Sequence, residues 1–341
     1  MPNLPDLPEL PHLRDEPGPE AVLTPRRAFE RFRRSVLSGT ADDSGDQAED
    51  VLVEWPFTPP GRPRRLRGRS ELEALTRAGR AALPMRIEDV PVVAIHDSLD
   101  PEVAIVEYEL AGTLTATGES VSGAVLVLLR VRDGRVVHVR EYQDVVAMAQ
   151  AFGRYDELLA AVKTAPADPT EADAGGPGTD TGTDAGGPGT DTGTGTDSDN
   201  DTAVPSGTGP RAVFARYQQA VLANSPDAMA DLFAADGVQE FPFRLPGIPE
   251  RLEGREAVRS WLSRTAGQSI RFQAYRDVTI HDTTDPEVIV VEHAIDCTHL
   301  GTGRPLRMSY VYVLRARDGR ITLLRDYANL LPVLAARLVG A

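Results

Sequence analysis

The sequence contains one cysteine and one lysine, and it has no long apolar run. Cys297 alone cannot form an intrachain disulfide, and it supplies too few thiolates for a structural zinc site. No stretch approaches the roughly 18 consecutive apolar residues of a membrane-spanning helix. The proline-rich, acidic first twenty residues also lack the positive start and apolar core of a signal peptide. We therefore expect a soluble cytoplasmic protein with no membrane partner.

Basic residues are also in deficit, with 36 Lys and Arg against 51 Asp and Glu and a formal net charge of -15. This balance argues against a nucleic-acid partner, because phosphate binding needs clustered basic side chains. No P-loop, dinucleotide-binding glycine fingerprint or G-x-S-x-G element occurs, which disfavours nucleotide-phosphate binding and serine-hydrolase chemistry. We expect no cofactor.

The middle of the chain has a different composition from its flanks. Residues 164–209 contain nine acidic and no basic side chains, set among Gly, Thr, Pro, Asp and Ala, and they include two near-identical copies of AGGPGTDTGTD. Such a segment cannot bury a core. We predict a disordered linker over residues 163–209 and a disordered proline-rich segment over residues 1–20.

The sequence repeats itself on either side of this linker. Glu54–Arg69 matches Glu240–Arg255 at ten of sixteen positions, and IHDSLDPEV from Ile95 matches IHDTTDPEV from Ile280 at seven of nine. RDGRVVHVREY and RDGRITLLRDY follow in the same order. A 341-residue chain is therefore predicted to hold two copies of one domain, over residues 21–162 and 210–341.

Each copy has helical patterns first and strand patterns afterwards, which predicts an α+β domain with an antiparallel sheet. In the second copy, Pro210 starts one amphipathic helix, and Ser225-Pro226 starts another that carries Met229, Leu232 and Phe233. A strand over 238–243, a third helix and long strands to Tyr327 follow. The first copy has no large apolar side chain over residues 38–50, so we predict a loop there and a more open first pocket.

The elements E-[FW]-P-F, the G-R helix start and the closing R-[DE]-Y resemble the SnoaL-like and ketosteroid-isomerase-like branch of the nuclear transport factor 2-like superfamily. In motif they are closest to the phenazine-biosynthesis A/B type, over residues 24–152 and 209–338. The resemblance implies a cone of N-terminal helices packed on a curved, mixed-edge sheet. It does not fix the function, because the scaffold carries isomerases, cyclases and non-catalytic members. Such domains commonly pair through their sheets, which predicts an intrachain pseudo-dimer; further self-association stays open.

The resemblance transfers ketosteroid-isomerase chemistry only in part. That chemistry uses a carboxylate base and an oxyanion hole containing a tyrosine. Tyr217 occupies the position of the oxyanion tyrosine, where the first copy has Phe32. Phe241 and Trp55 occupy the position of the base, and neither can take a proton. Steroid-type isomerisation by that set of residues is therefore disfavoured.

Two carboxylates of the second copy are candidates for proton transfer. Glu292 lies in VIVVEHAI, a run otherwise apolar on both strand faces, so its side chain should point into a cavity or an interface. A buried carboxylate with few partners has a raised pKa and exchanges protons near neutral pH. Asp326 stands in the R-[DE]-Y element, where phenazine-type relatives place a catalytic acid. The alternative is that Arg325 and Asp326 form an ion pair or a clamp.

Histidines are the remaining candidates. His281 and His96 precede a D-x-x-D-P-E turn, where an imidazole acts as a general base or hydrogen-bonds the turn. His293 and Cys297 share a strand face, but they lie about 13 Å apart at 3.3 Å per residue. We therefore predict no metal site.

The leading hypothesis is a cofactor-independent isomerase or cyclase-type enzyme of small-molecule, including secondary, metabolism. It would move protons by general acid/base catalysis on an apolar carbonyl or imine compound. The alternative is a non-catalytic ligand-binding or assembly module. The candidate catalytic residues are Asp326, Glu292, Tyr217 and His281. The candidate substrate-binding residues are Phe241, Phe243, Trp261, His293 and Tyr312. The first-copy equivalents of Asp326, Glu292, His281 and Phe241 are Glu141, Glu107, His96 and Trp55.

Overall fold

The computed structural model describes residues 22–39, 45–164, 207–265 and 270–339. It contains two α+β units, each with a sheet of its own, as predicted. We call residues 22–164 the first unit and residues 207–339 the second unit. The predicted proline-rich start and most of the predicted linker lie outside the described residues. No helix within these ranges is long and apolar enough to cross a membrane.

The first unit begins with a helix and then builds its sheet. Its helices in the described residues are α1 (Pro25–Ser38), α2 (Arg69–Ala82), α3 (Val145–Ala151) and α4 (Tyr155–Thr164). Its strands are β1 (Gln47–Glu54), β2 (Arg65–Arg67), β3 (Met85–Asp89), β4 (Val92–Asp97), β5 (Val103–Leu114), β6 (Ser120–Arg132) and β7 (Arg135–Gln143). Thr24 caps α1 by accepting a hydrogen bond from the Arg27 backbone NH, and Pro25 suits the first turn.

The second unit follows the same plan. Its helices in the described residues are α5 (Pro210–Leu222), α6 (Pro226–Asp231), α7 (Arg255–Thr265) and α8 (Leu331–Val339). Its strands are β8 (Phe233–Glu240), β9 (Arg251–Glu253), β10 (Ile270–Asp282), β11 (Val288–His299), β12 (Pro305–Arg317) and β13 (Arg320–Ala328).

The two sheets have matching topologies. The first has the order β2-β1-β7-β6-β5-β3, with β4 also paired to β5, and the second has the order β10-β11-β12-β13-β8-β9. All pairs are antiparallel except β1 with β7 and β8 with β13. One parallel pair near one edge of each sheet is the mixed-edge arrangement that the resemblance implies.

The start of each sheet differs from the sequence prediction. Ser225 caps α6 as predicted, but α6 ends at Asp231. Phe233 is already the first residue of β8, where it pairs with Ile321 of β13. The predicted strand therefore starts five residues earlier. In the first unit, residues 47–50 belong to β1, whereas the prediction placed them in a loop. Pairing with a neighbouring strand can stabilise these residues although their side chains are polar.

Each sheet is buried on both faces. One face packs under the helices of its own unit, in a space that we call the cone of that unit. The opposite faces of the two sheets pack on each other and form what we call the inter-sheet core. Its β-strand members include Val103, Ile105, Leu126, Leu128, Val288, Val290, Val311 and Val313. This double burial explains why β5 and β11 are apolar at successive positions and do not alternate with polar residues.

Candidate functional site

Asp326 lies inside the second cone. Its strand β13 pairs Asp326 with Tyr312, and the flanking residues Arg325 and Tyr327 point to the opposite face of the sheet. The Asp326 side chain is buried, and burial raises its pKa from 3.8 to about 7. The carboxyl group is therefore close to half-ionised at neutral pH.

Aromatic rings surround this carboxyl group, with His293 on β11 at their centre. The His293 ring stacks on Tyr310 at 5.3 Å and meets the edge of Tyr312 at 4.5 Å between ring centroids. Tyr275 and Phe214 lie 5.2 and 5.8 Å from it. The second cone is thus filled largely by its own rings.

Two polar atoms in this ring cluster have no hydrogen-bond partner among the described residues. They are Asp326 Oδ1 and Tyr275 Oη. The ring nitrogens of His293 also make no hydrogen bond of good geometry within the described part of the chain, and the polar neighbour that acts on the ring is the backbone of Val291. An unsatisfied buried polar group costs about 1–3 kcal/mol, so their clustering in one cone is unfavourable for stability alone. Burial lowers the pKa of His293 to about 3, so its ring is neutral at physiological pH. The cluster therefore offers a proton-exchanging carboxyl group, a free phenol and a neutral imidazole to a ligand.

Tyr217, on α5, completes the cluster. Its ring is buried 6.2 Å from that of Tyr312. Burial, and then the charge of Asp326, raise the pKa of Tyr217 above its ordinary value. The phenol stays protonated and can donate a hydrogen bond.

The predicted substrate-binding residues Phe241, Trp261 and Phe243 lie in two different parts of the structure. Phe241 and Trp261 pack edge to face at 6.0 Å, and Trp261 borders the second cone. Phe243 instead lies in the inter-sheet core, 5.1 Å from Tyr327 and 6.2 Å from Phe57 of the first unit. Phe243 therefore lies on the opposite face of the sheet from Asp326.

Glu292 and His281 lie between the units, outside the cone. Glu292 accepts hydrogen bonds from His281 Nε2, at 2.8 Å, and from the Tyr142 hydroxyl of the first unit. Arg140 Nε lies 3.0 Å from the same carboxylate as an ion pair. Burial raises the pKa of Glu292, but its donors outweigh burial, and the pKa lies below 4.5. The Glu292 carboxylate therefore stays ionised at neutral pH, and it does not lie in the cone with Asp326.

Glu107 and His96 form the mirrored arrangement. Glu107 accepts hydrogen bonds from His96 Nε2 at 2.7 Å, Arg325 Nη1 at 2.9 Å and the Tyr327 hydroxyl at 2.5 Å. Burial again raises its pKa, and the donors again hold the pKa below 4.5. We call the sets around Glu107 and Glu292 the Glu107 clasp and the Glu292 clasp.

The first cone is chemically poorer than the second. Burial raises the pKa of Glu141, and Gln143 donates a hydrogen bond to it. Trp55 only borders the packing under α1 and α2. The first-copy equivalents of Phe214, Tyr217, Tyr275, His293, Tyr310 and Tyr312 are Phe29, Phe32, Val90, Tyr108, Val125 and Val127. A small apolar cavity of about 30 Å³ lies between α3 and the sheet.

Tyr275 and Tyr310 were not among the site residues predicted from the sequence. A usable signal was present: Tyr310 and Tyr312 are two residues apart in SYVYV and share a strand face. In the first copy the same two positions are Val125 and Val127. A position that is tyrosine in one copy and valine in the other is not needed as tyrosine for the fold.

Comparison with known proteins agrees with this architecture. A family model described as a SnoaL-like domain matches residues 214–324. An uncharacterized PhzA/B-like protein of Pseudomonas aeruginosa is 38% identical over 99 residues, which is 29% of this chain and 69% of the relative. The uncharacterized protein YesE of Bacillus subtilis is 31% identical over 118 residues, covering 35% of this chain and 80% of the relative.

A solved structure of a phenazine biosynthesis-related protein from Pseudomonas aeruginosa is also similar. It is 18% identical, with a TM-score of 0.31, and the match covers 37% of this chain and 83% of that one. The two curated relatives each match over more than two thirds of their length at above 30% identity, and the family model agrees with them. The chain belongs to the SnoaL-like family.

Proposed function

We propose that the second cone binds a small, largely apolar carbonyl or imine compound and moves a proton on it without a cofactor, as isomerases and cyclases do. The observation that carries this proposal is that Asp326 Oδ1 and Tyr275 Oη are buried with no partner in the described part of the chain, beside the poorly hydrogen-bonded ring of His293. A ligand with one acceptor and one acidic C–H would satisfy several of these groups at once.

Asp326 would act as the acid/base. With a pKa of about 7 it can take a proton from carbon and return it at another position, which is the range in which general acid/base catalysis is efficient. Tyr217 and Tyr275 are protonated donors, and either can stabilise negative charge that develops on the substrate oxygen. Neutral His293 would orient the substrate by a single hydrogen bond.

A second candidate function is supported by the packing of the cone. The four rings around His293 lie 4.5–5.8 Å from the His293 ring by centroid, so a ligand must displace at least one of them. This packing favours a non-catalytic binding or assembly module, in which the rings hold a ligand or simply fill the cone.

Ligand binding followed by proton exchange separates the two functions. Thermal shifts across a library of aromatic ketones and cyclic acids identify ligands, because a molecule that binds only the native state raises its stability. NMR in D₂O then measures exchange of the ligand's α-proton. We expect exchange with the wild type and a loss of about 10²–10⁴-fold in Asp326→Asn.

Glu141→Gln is the matched control, because it neutralises the equivalent carboxyl group of the first cone. We expect it to leave the exchange rate unchanged. Thermal shifts without exchange would support the binding module. Exchange that survives Asp326→Asn would refute the proposed role of Asp326.

A further inference from the structure

The first unit has a poorer cone, yet it keeps a buried charge directed at the second unit. Glu107 is fully buried, and two of its hydrogen-bond donors, Arg325 and Tyr327, come from β13 of the second unit. These two residues flank Asp326 in the chain. The first unit therefore hydrogen-bonds, through Glu107, to the residues immediately before and after the proposed acid/base.

These hydrogen bonds restrict the position of Asp326, because Asp326 lies between Arg325 and Tyr327 in the same strand. Successive side chains of a strand point to opposite faces, so Arg325 and Tyr327 reach the inter-sheet core while Asp326 enters the cone. Arg325 is also tied to Glu240 of β8 at 2.6 Å, and the Tyr327 ring packs on Phe243 at 5.1 Å. With both neighbours fixed, the Cα of Asp326 has little freedom.

The contacts inside the cone do not hold Asp326 in the same way. The groups that face it are Tyr217 from α5, Tyr275 from β10, and Tyr310 and Tyr312 from β12. His293 from β11 lies against Tyr275, Tyr310 and Tyr312. None of them, among the described residues, gives Asp326 Oδ1 a hydrogen bond.

From this geometry we infer that Glu107 of the first unit is a positioning residue for Asp326 and acts on it through Arg325 and Tyr327. The inference rests on the proposed function of the second cone. It assigns the first unit a role in that function: it supplies the buried anion that fixes the strand of the acid/base. The Glu292 clasp grips Arg140 and Tyr142, which flank Glu141, so it constrains the first cone.

Loss of the Glu107 clasp has an effect of known direction on Asp326. A looser β13 admits water to the carboxyl group, which relieves the burial that raises its pKa. In Glu107→Gln a negative charge also disappears and Arg325 loses a partner, and both changes favour ionised Asp326. In Tyr327→Phe no charge changes and only the hydroxyl that donates to Glu107 is lost. A fall of the Asp326 pKa in Tyr327→Phe therefore reports geometry alone.

The test is a ¹³C NMR titration of the full chain labelled at the aspartate carboxyl carbon, with Asp326 assigned by its absence in Asp326→Asn. We expect Glu107→Gln and Tyr327→Phe to lower the pKa of Asp326 by about half a unit or more. Tyr142→Phe is the matched control, since it removes the same hydroxyl from the Glu292 clasp. It should leave the Asp326 pKa unchanged at a similar loss of thermal stability.

The possible outcomes distinguish a failure of the positioning role from a failure of the proposed function. A wild-type Asp326 that titrates near 7 but does not move in Tyr327→Phe refutes the positioning role and leaves the proposed function standing. An equal fall in Tyr142→Phe refutes it too, because any interface damage would then suffice. A wild-type Asp326 that titrates below 5 removes the basis of both. If Glu107→Gln does not fold, Tyr327→Phe decides alone.

Discussion

Replacement of Asp326 by asparagine should make the protein more stable above neutral pH. The carboxyl group is buried beside aromatic rings, and its pKa is raised from 3.8 to about 7 by burial. In the unfolded chain the same group ionises near its ordinary value. Between these values the folded state holds a proton that the unfolded state has released. The wild type therefore loses stability as the pH rises through this window, and the loss is complete above about pH 7.

The size of the effect follows from the pKa difference of about three units. Each unit is worth about 1.4 kcal/mol, so ionised Asp326 destabilises the folded chain by about 4 kcal/mol at pH 8. Asparagine at this position does not ionise and avoids that cost. The free energy of unfolding of Asp326→Asn minus that of the wild type should therefore rise by about 3 kcal/mol from pH 5 to pH 8.

Urea unfolding at several pH values measures this difference. The chain has two tryptophans, Trp55 in the first unit and Trp261 in the second, so Trp55→Phe leaves Trp261 as a reporter of the second unit. Both proteins are compared in this background. Groups such as the histidines titrate in both and cancel in the difference.

Asp296→Asn is the control for the same chemical change. Hydrogen bonds from Arg276 and Arg307 lower the pKa of Asp296 below 3.8, so its titration lies outside the measured window. Its difference from the wild type should be constant from pH 5 to pH 8. A constant difference for Asp326→Asn as well would refute a raised pKa in the second cone.

Other substitutions test separate parts of the account by equilibrium unfolding. His293→Phe keeps an aromatic ring and removes two buried nitrogens that make no hydrogen bond of good geometry among the described residues, so it should raise the free energy of unfolding by about 1 kcal/mol while abolishing ligand-induced thermal shifts; a loss of stability would contradict this. Gly112→Ala should cost about 2–3 kcal/mol, because a Cβ there would lie 2.0 Å from the Arg86 carbonyl oxygen; a neutral effect would show that β3 can move. Val290→Ala removes a fully buried inter-sheet contact and should cost about 2 kcal/mol, seen by both tryptophans.

The sequence was sufficient for the architecture because local signals and the repeat agree. Ser225-Pro226 has one favourable use, as the start of a helix, and α6 begins there. The start of β8 was missed because Phe233 also continues the helical pattern of Met229. Its pairing with Ile321, some ninety residues away, decides in favour of the strand, and no local pattern contains that contact.

For the site, the sequence indicated which residues are unusual but not which face of a strand they occupy. Glu292 was singled out as a carboxylate in an apolar run, with a cavity and an interface both possible. The structure places it in the interface. The sequence could not decide between the two, because both faces of β11 are buried and the alternation of side chains along the strand does not tell them apart. Asp326 has the opposite parity to Tyr327, and that single offset separates a buried acid in the cone from a hydrogen bond between the units.

The most direct test of the account is the titration of Asp326 in the wild-type chain by carboxyl ¹³C NMR. We expect an aspartate resonance with a pKa of about 7 that is absent in Asp326→Asn and is displaced when a ligand fills the second cone. If every aspartate titrates below pH 5, the second cone holds no proton-exchanging carboxyl group, and the proposed chemistry is wrong.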